Sequence, residues 1–484
     1  MRTFTLSASV LLALSLTACN SGGSASNART QDNAQTTPPA AAKNVIFFLG
    51  DGMGIATTTA ARIYAAGEDG QLTMDTLPES GFVKTFSNDA QVTDSAPSMS
   101  AYMTGVKMNN EVISMSTDTQ AKAPTADLTS NCGAGNGRAV STLLELAKAK
   151  NWATGVVTTT RVTHATPAAT YSHVCHRDAE SDIAAQLVPG GAQYNAALKD
   201  GVDVVFGGGR QFFLPKTAGG KRADGRDLVA ELKAKGYGYA ADKTAFSAID
   251  PAKTRRAVGL FTASHMSYDL DRDAGKEPSL AEMTNKAISM LAGRSDKQGF
   301  FLMVEGGRID HALHETTAKK ALQDTVAFDQ AIQAAISAMQ QKDPGLKNTL
   351  IVVTADHDHT LVLNGYAKRT GKTAPGNPGV LGLAKDYVSG KNLTDADGMP
   401  YTIIGFGNGE NRVNDKRSAA AALTDDAASA DNYHQEAAIR MPAGGETHGG
   451  TDVYIAAIGQ GADSVHGFLE NIEVFGLVKK AAGL

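Results

Sequence analysis

The chain has 484 residues, 45 basic against 50 acidic side chains, a net charge of −5 and 42% hydrophobic residues. That length can bury a large core, and the absence of a basic block excludes a nucleic-acid footprint. Fifty glycines predict many tight loops.

Residues 1–19, MRTFTLSASVLLALSLTAC, carry one early positive charge, Arg2, ahead of a short apolar stretch. This reads as a secretory signal, too short for a spanning helix. Its end, Leu16-Thr17-Ala18-Cys19, resembles a bacterial lipobox, in which the cysteine is lipidated and becomes the mature N-terminus. The plainer alternative is an ordinary signal cleaved nearby. Residues 20–42 are small and polar and read as a flexible tether. The expected location is therefore periplasmic or at the cell surface, with the protein held to a bacterial membrane by lipid alone. Export permits disulfides. With Cys19 used for lipid, Cys132 and Cys175 remain as the expected pair.

From residue 43 onward, apolar runs alternate with helical patterns. Residues 44–50, 153–159, 202–208, 300–306 and 348–356 read as buried strands, and 139–150, 279–292, 316–341 and 466–481 as helices. This pattern predicts an α/β fold, with a mainly parallel sheet flanked by helices on both faces. Residues 362–440 differ in composition, with only 401–407 strand-like. They read as an insertion ahead of a strand at 452–459.

The chemistry gathers where strands end. In VTDSAPSMSAYMTG (92–105), Ser95 follows Asp94 as either a helix N-cap or a nucleophile. Three apolar runs end in acids: Asp51, then Glu305 with Asp310, then Asp356 followed by His357. Ligands of open α/β sheets bind beyond the carboxyl ends of strands. So many carboxylates repel one another unless cations neutralise them. All eleven histidines lie after residue 160, several beside these acids. Asp310 and His314 share a face if helical, His357 and His359 alternate, and His448 sits in a Gly-rich loop. A lone histidine is more often structural, but recurring Asp/His pairs point to metal. Imidazole with carboxylate suits zinc, and an all-oxygen set suits magnesium.

Six ordered motifs complete the reading: FFLGDGMG (47–54), TDSAPSMSAYMTG (93–105), GVVTTTRVTHATPAATYSH (155–173), FLMVEGGRIDHALHE (301–315), VTADHDH (353–359) and ETHGGTDVYIAAIG (446–459). Together they resemble the alkaline phosphatase family, from about residue 43 to the C-terminus. The resemblance implies one domain with a sheet of about ten strands and a crown-like insertion at 362–440. It implies hydrolysis of phosphate monoesters at alkaline pH through a phosphoserine on Ser95, with two zinc ions and one magnesium ion. Asp310, His314 and His448 would hold the first zinc, and Asp51, Asp356 and His357 the second. Asp51 would bridge to magnesium, completed by Thr166 and Glu305. Arg177 falls at the phosphate-clamping position, and Arg161, the rival candidate, reads as structural. His164 and His311 stand where the best-known enterobacterial member has Asp and Lys, as in vertebrate and some marine bacterial members. His164 would lie just outside the magnesium ligands, and His311 near phosphate through water. His359 receives no role. The segment 259–273 resembles part of a vertebrate calcium site, but Thr262 replaces a carboxylate there and puts calcium in doubt. The family is usually dimeric, so a homodimer is expected. The rival readings are a phosphodiesterase of the same superfamily and a phosphate-binding lipoprotein; a sulfatase is disfavoured by DSAPS.

Overall fold

The computed structural model describes residues 41–412, 416–418 and 422–484. The signal, Cys19 and nearly all of the tether lie outside the described residues. The strands are, in chain order, β1 (Asn44–Gly50), β2 (Glu79–Lys84), β3 (Ala153–Arg161), β4 (Val204–Gly208), β5 (Gly238–Ala240), β6 (Ala257–Leu260), β7 (Phe300–Gly306) and β8 (Thr349–Ala355). Beyond them come β9 (Asp358–His359), β10 (Leu361–Leu363), β11 (Ile404–Gly409), β12 (Ala437–Arg440), β13 (His448–Gly449), β14 (Val453–Gly459) and β15 (Gly467–Glu470).

Ten of these form one sheet in the order β15-β2-β14-β8-β1-β7-β3-β4-β6-β5. Strands β4, β7 and β8 are buried along their whole length, which is why they read as continuous apolar runs. All neighbours pair in parallel except β14, which runs against both β8 and β2. Helices cover the sheet. Phe328, on the long helix Ala318–Lys342, packs edge-on against Phe48 of β1 with ring centroids 5.8 Å apart. Both rings are fully buried, each a transfer contribution of about 2–3 kcal/mol.

The register of the central strands decides where the site forms. Gly50 lies opposite Gly306 on one side and Ala355 on the other. Thr158 lies opposite Glu305. The central strands therefore end level, and the residues just beyond them meet at one edge.

Helix boundaries are set by their caps. The helix expected at 139–150 is Leu143–Ala149, started by a Thr142/Glu145 capping box. Ser279 and Glu282 start Leu280–Ala292 in the same way. The helix expected at 466–481 begins only at Asn471. Residues 467–470 instead pair with β2, where Phe468 stacks on Phe82 at 5.2 Å. The strand expected at 401–407 lies at 404–409 and joins β10 and β12 in a separate three-stranded sheet. No helix among the described residues is long and apolar enough to cross a membrane.

Candidate metal centre

Two glycines let the loop after β1 fold onto the site. Gly52 has φ +67°, a conformation costly for any side chain, and a Cβ on Gly54 would sit 1.5 Å from Asp358 Oδ1. This brings Asp51 under the end of β8, where the Gly52 N–H donates to Asp356 Oδ1 at 3.0 Å. After β7, the short helix Arg308–His314 turns Asp310 and His314 inward. The two-residue ladder of β9 with β13 sets His448 opposite His359.

Three donor clusters result: Asp310, His314, His359 and His448; Asp51, Asp356 and His357; and Asp51, His164 and Glu305. In the first, His314 Nδ1 donates to the Glu446 carbonyl, and His448 Nδ1 donates to the Thr93 carbonyl at 2.8 Å. Carbonyls only accept, so in the neutral rings each Nε2 carries a lone pair. Those two Nε2 atoms face each other at 3.2 Å, with Asp310 Oδ1 3.3 Å from one and 3.5 Å from the other. Three acceptors aimed at one point fit a bound cation.

His359 is different. Its Nδ1 meets Glu446 Oε2 at 2.6 Å and its Nε2 meets Asp310 Oδ1 at 2.8 Å. Burial pulls its pKa down, but Glu446 and Asp310 outweigh this and raise it to about 10. With a carboxylate oxygen at each ring nitrogen, His359 is placed to orient Asp310. The sequence reading gave His359 no role, and its one signal was the alternation in DHDH, which a two-residue strand turns into one shared face.

In the second cluster, His357 Nδ1 donates to the Asp358 carbonyl at 3.2 Å. Its Nε2 lies 3.3 Å from Asp356 Oδ2 and 3.4 Å from Asp51 Oδ1. Burial, then the charge of Asp310, pushes Asp51 up to about 7; burial, then Asp51, does the same to Asp356. In the third cluster, Thr166 Oγ1 donates to Asp51 Oδ2 at 3.3 Å, and Thr158 and Thr160 donate to Glu305 Oε2. The two latter threonines escaped the sequence reading, although Thr158 is Glu305's neighbour in register. Glu305 Oε1 and Asp356 Oδ2 are buried with no hydrogen-bond partner. Orphaned atoms among crowded carboxylates fit resident cations, since burying them unpaired costs several kcal/mol each.

Ser95 opens the helix Ser95–Thr104, but the cap is Asp94, whose side chain accepts from the Ala96 N–H at 2.7 Å. Ser95 is thus free of capping duty. Its buried Oγ lies 3.2 Å from His357 Nε2 and 3.4 Å from Asp51 Oδ1. Arg177 donates through Nη1 to Asp94 Oδ1 at 2.9 Å and through Nη2 to His164 Nε2 at 3.1 Å. Arg161 is committed elsewhere, with two 2.8 Å bonds to Glu180. His311 accepts from Arg308 Nη1 at 2.7 Å, and its ring lies 5.3 Å from that of His164. Burial, with Arg308 and Arg161 nearby, holds His311 down at about 3 despite the opposing charge of Asp310. Burial and then Arg177 hold His164 well below its ordinary range. Cys132 and Cys175 are bonded, closing a sequence separation of 43 residues, worth roughly 4 kcal/mol on the chain-entropy account.

The alkaline phosphatase family model matches residues 42–484. The chain belongs to the alkaline phosphatase family. It is 38% identical over 459 residues to the tissue-nonspecific alkaline phosphatase of Mus musculus, covering 89% of this chain and 81% of that one. It is 37% identical over 467 residues to an alkaline phosphatase of Gadus morhua, covering 90% and 91%. Among solved structures, the Thermus thermophilus alkaline phosphatase superposes with a TM-score of 0.65 at 26% identity, covering 96% of each chain. The enzyme from the Antarctic bacterium TAB5 shares the fold, with a TM-score of 0.63 at 24% identity over 92% of this chain and 99% of that one. This phosphatase is therefore a metal-binding hydrolase of phosphate monoesters, and neither the diesterase nor the binding-protein reading is favoured. Among its described residues, none of the metal-capable clusters includes a residue of the 259–273 segment. Thr262 there donates to the Ser264 carbonyl at 2.8 Å.

Proposed function

We propose that this phosphatase transfers the phosphoryl group first to Ser95 and then to water. The observation that carries the reading is the Ser95 hydroxyl, 3.2 Å from the lone pair of His357 Nε2 and 3.4 Å from Asp51. Asp310, His314 and His448 would hold one zinc, Asp51, Asp356 and His357 another, and Asp51, Glu305 and Thr166 a magnesium. Those ions would supply charge neutralisation and a lowered pKa for the serine hydroxyl. Ser95 Oγ attacks phosphorus in line with the ester oxygen, forming a phosphoserine as the alcohol leaves. The N-terminal end of the Ser95–Thr104 helix and the fork of Arg177 would bind the phosphoryl oxygens. Water then attacks the phosphoserine from the vacated side and releases phosphate. Most of the acceleration is positioning and electrostatics.

Neutral His164 accepts the second arm of Arg177 and thus ties the clamp to the magnesium ligands. His311 reaches phosphate through water. The resemblance of Leu16-Thr17-Ala18-Cys19 to a lipobox supports an exported enzyme anchored through lipid on Cys19. A homodimer belongs to the same reading, since Val362, Leu363 and Ile439 stand exposed on the small sheet. The test is turnover of p-nitrophenyl phosphate with and without a chelator. Trapping of a labelled phosphoryl group at acid pH in the intact protein, absent from Ser95→Ala, supports the mechanism. Label on any other residue overturns it.

A further inference from the structure

Arg177 stands on an irregular stretch between the short helices Ala165–Ala168 and Glu180–Gln186. A binding side chain on a loop is placed only as well as its backbone is fixed. Upstream, Val174 exchanges backbone bonds with Ile113 at 3.0 and 3.2 Å, and the Arg177 N–H donates to the Glu111 carbonyl at 2.8 Å. Two residues before Arg177, buried Cys175 is bonded to Cys132, and its N–H also points at Cys132 Sγ, 3.2 Å away.

Cys132 itself lies in a largely exposed segment, 117–139, that forms no helix or strand. That segment is not an anchor by itself. It becomes one through the helix just beyond Arg177. The Ser130 N–H donates to Asp182 Oδ2 at 2.8 Å, the Ser181 N–H donates to the Leu128 carbonyl at 3.0 Å, and Ser181 Oγ donates to the Asp127 carbonyl at 3.0 Å. The chain is thus held on both sides of the arginine: at Cys175 by the disulfide and at 181–182 by the segment that carries Cys132. Residues 175–182 form a closed staple with Arg177 inside it.

We infer that the Cys132–Cys175 disulfide positions Arg177 for phosphate, acting through the Ser130–Asp182 tie. The inference rests on Arg177 being the phosphate clamp. The bond itself touches no reacting atom. Its effect is to keep both arms of the guanidinium on Asp94 and His164, so that the fork meets phosphate already aligned. A disulfide that merely stabilised the fold would change the amount of folded enzyme and leave the binding of phosphate alone.

The experiment is a double-mutant cycle on the metal-loaded enzyme. The four proteins are wild type, Cys132→Ala with Cys175→Ala, Arg177→Lys, and the combination. The readouts are kcat and KM for p-nitrophenyl phosphate and the inhibition constant of inorganic phosphate. Removing the disulfide is expected to raise KM and the phosphate constant roughly tenfold, mid-range for groups coupled through shared backbone, with a smaller change in kcat. In the Arg177→Lys background the same removal is expected to do almost nothing. Equal effects in both backgrounds, or a fall in kcat at unchanged phosphate affinity, overturn the inference. If Arg177→Lys alone leaves phosphate affinity unchanged, the clamp reading fails instead. Should the cysteine-free protein not fold, Asp182→Ala decides, because it keeps the disulfide and loosens its anchor. A weakened phosphate affinity there supports the inference, and an unchanged one overturns it.

Discussion

At the scale of single residues, the site works by withholding protons. Backbone carbonyls take the Nδ1–H of His314, His357 and His448, which leaves lone pairs where cations are needed. Ser95 is spared the work of capping by Asp94. Ser95→Ala should therefore lower kcat by at least about a thousandfold, the scale of losing an activated nucleophile. The metals, measured by elemental analysis, should stay bound, because the substitution leaves every Asp, Glu and His of the three donor clusters in place. Unchanged turnover would sink the assignment. His164→Asp tests the third cluster. A carboxylate beside Asp51 and Glu305 attracts magnesium more strongly than a neutral imidazole whose Nε2 is occupied by Arg177. Magnesium half-saturation should fall, and turnover should fall with it as product release slows. Equal half-saturation in the two proteins would remove His164 from the magnesium site.

At the scale of elements, the helix Ala318–Lys342 buries a carboxyl that plays no part in the site. Asp324 accepts one bond, from the Asp269 N–H at 3.1 Å, and burial, opposed by that bond, pushes it up to about 8. Asp269 and Asp271 add to the rise and Arg308 opposes it. The folded form therefore holds a proton that the unfolded chain releases near the ordinary value of 3.8. Stability is lost between those two pH values and is flat above them. Asp324→Asn keeps the acceptor and removes the charge. It should stabilise the protein by about 2 kcal/mol or more at pH 9 and by almost nothing near pH 4. Urea denaturation at both pH values measures this, and a pH-independent difference would refute it.

The same scale shows what could be read in advance. The buried parallel strands were legible because each carries a run of apolar side chains, and all but β3, which ends in Thr160 and Arg161, close on a glycine or an acid. So were most donor residues, since a parallel strand fixes where its next residue lies. What escaped depends on pairing across the chain. Thr158 and Thr160 become partners of Glu305 only through the β3–β7 register, and His359 gains its second carboxylate only when Glu446 arrives from 87 residues away. The strand at 467–470 looked helical because its partner, β2, lies some 380 residues earlier and leaves no local trace.

For the whole molecule, ten strands place several buried acids at one edge, and the fold must answer for their charge. Without cations, burial and mutual repulsion hold Asp51 and Asp356 near 7 and Glu305 well above its ordinary value. Metal-free protein then keeps protons that the unfolded chain gives up from about pH 4 onward. The contribution of these acids to its stability falls as pH rises through that interval. Bound cations neutralise the same carboxylates, and protons compete with them for the donors, so the loaded protein loses far less. Asp324 titrates alike in both forms and cancels from the comparison. The stability gap between loaded and chelator-treated protein should therefore widen from pH 5 to pH 8 by at least about 2 kcal/mol, beyond the mass-action gain at fixed free metal. Denaturant midpoints of both forms across that range measure it. A constant gap would mean that the buried acids stay ionised without metal, and the electrostatic account of why this edge needs cations would fall.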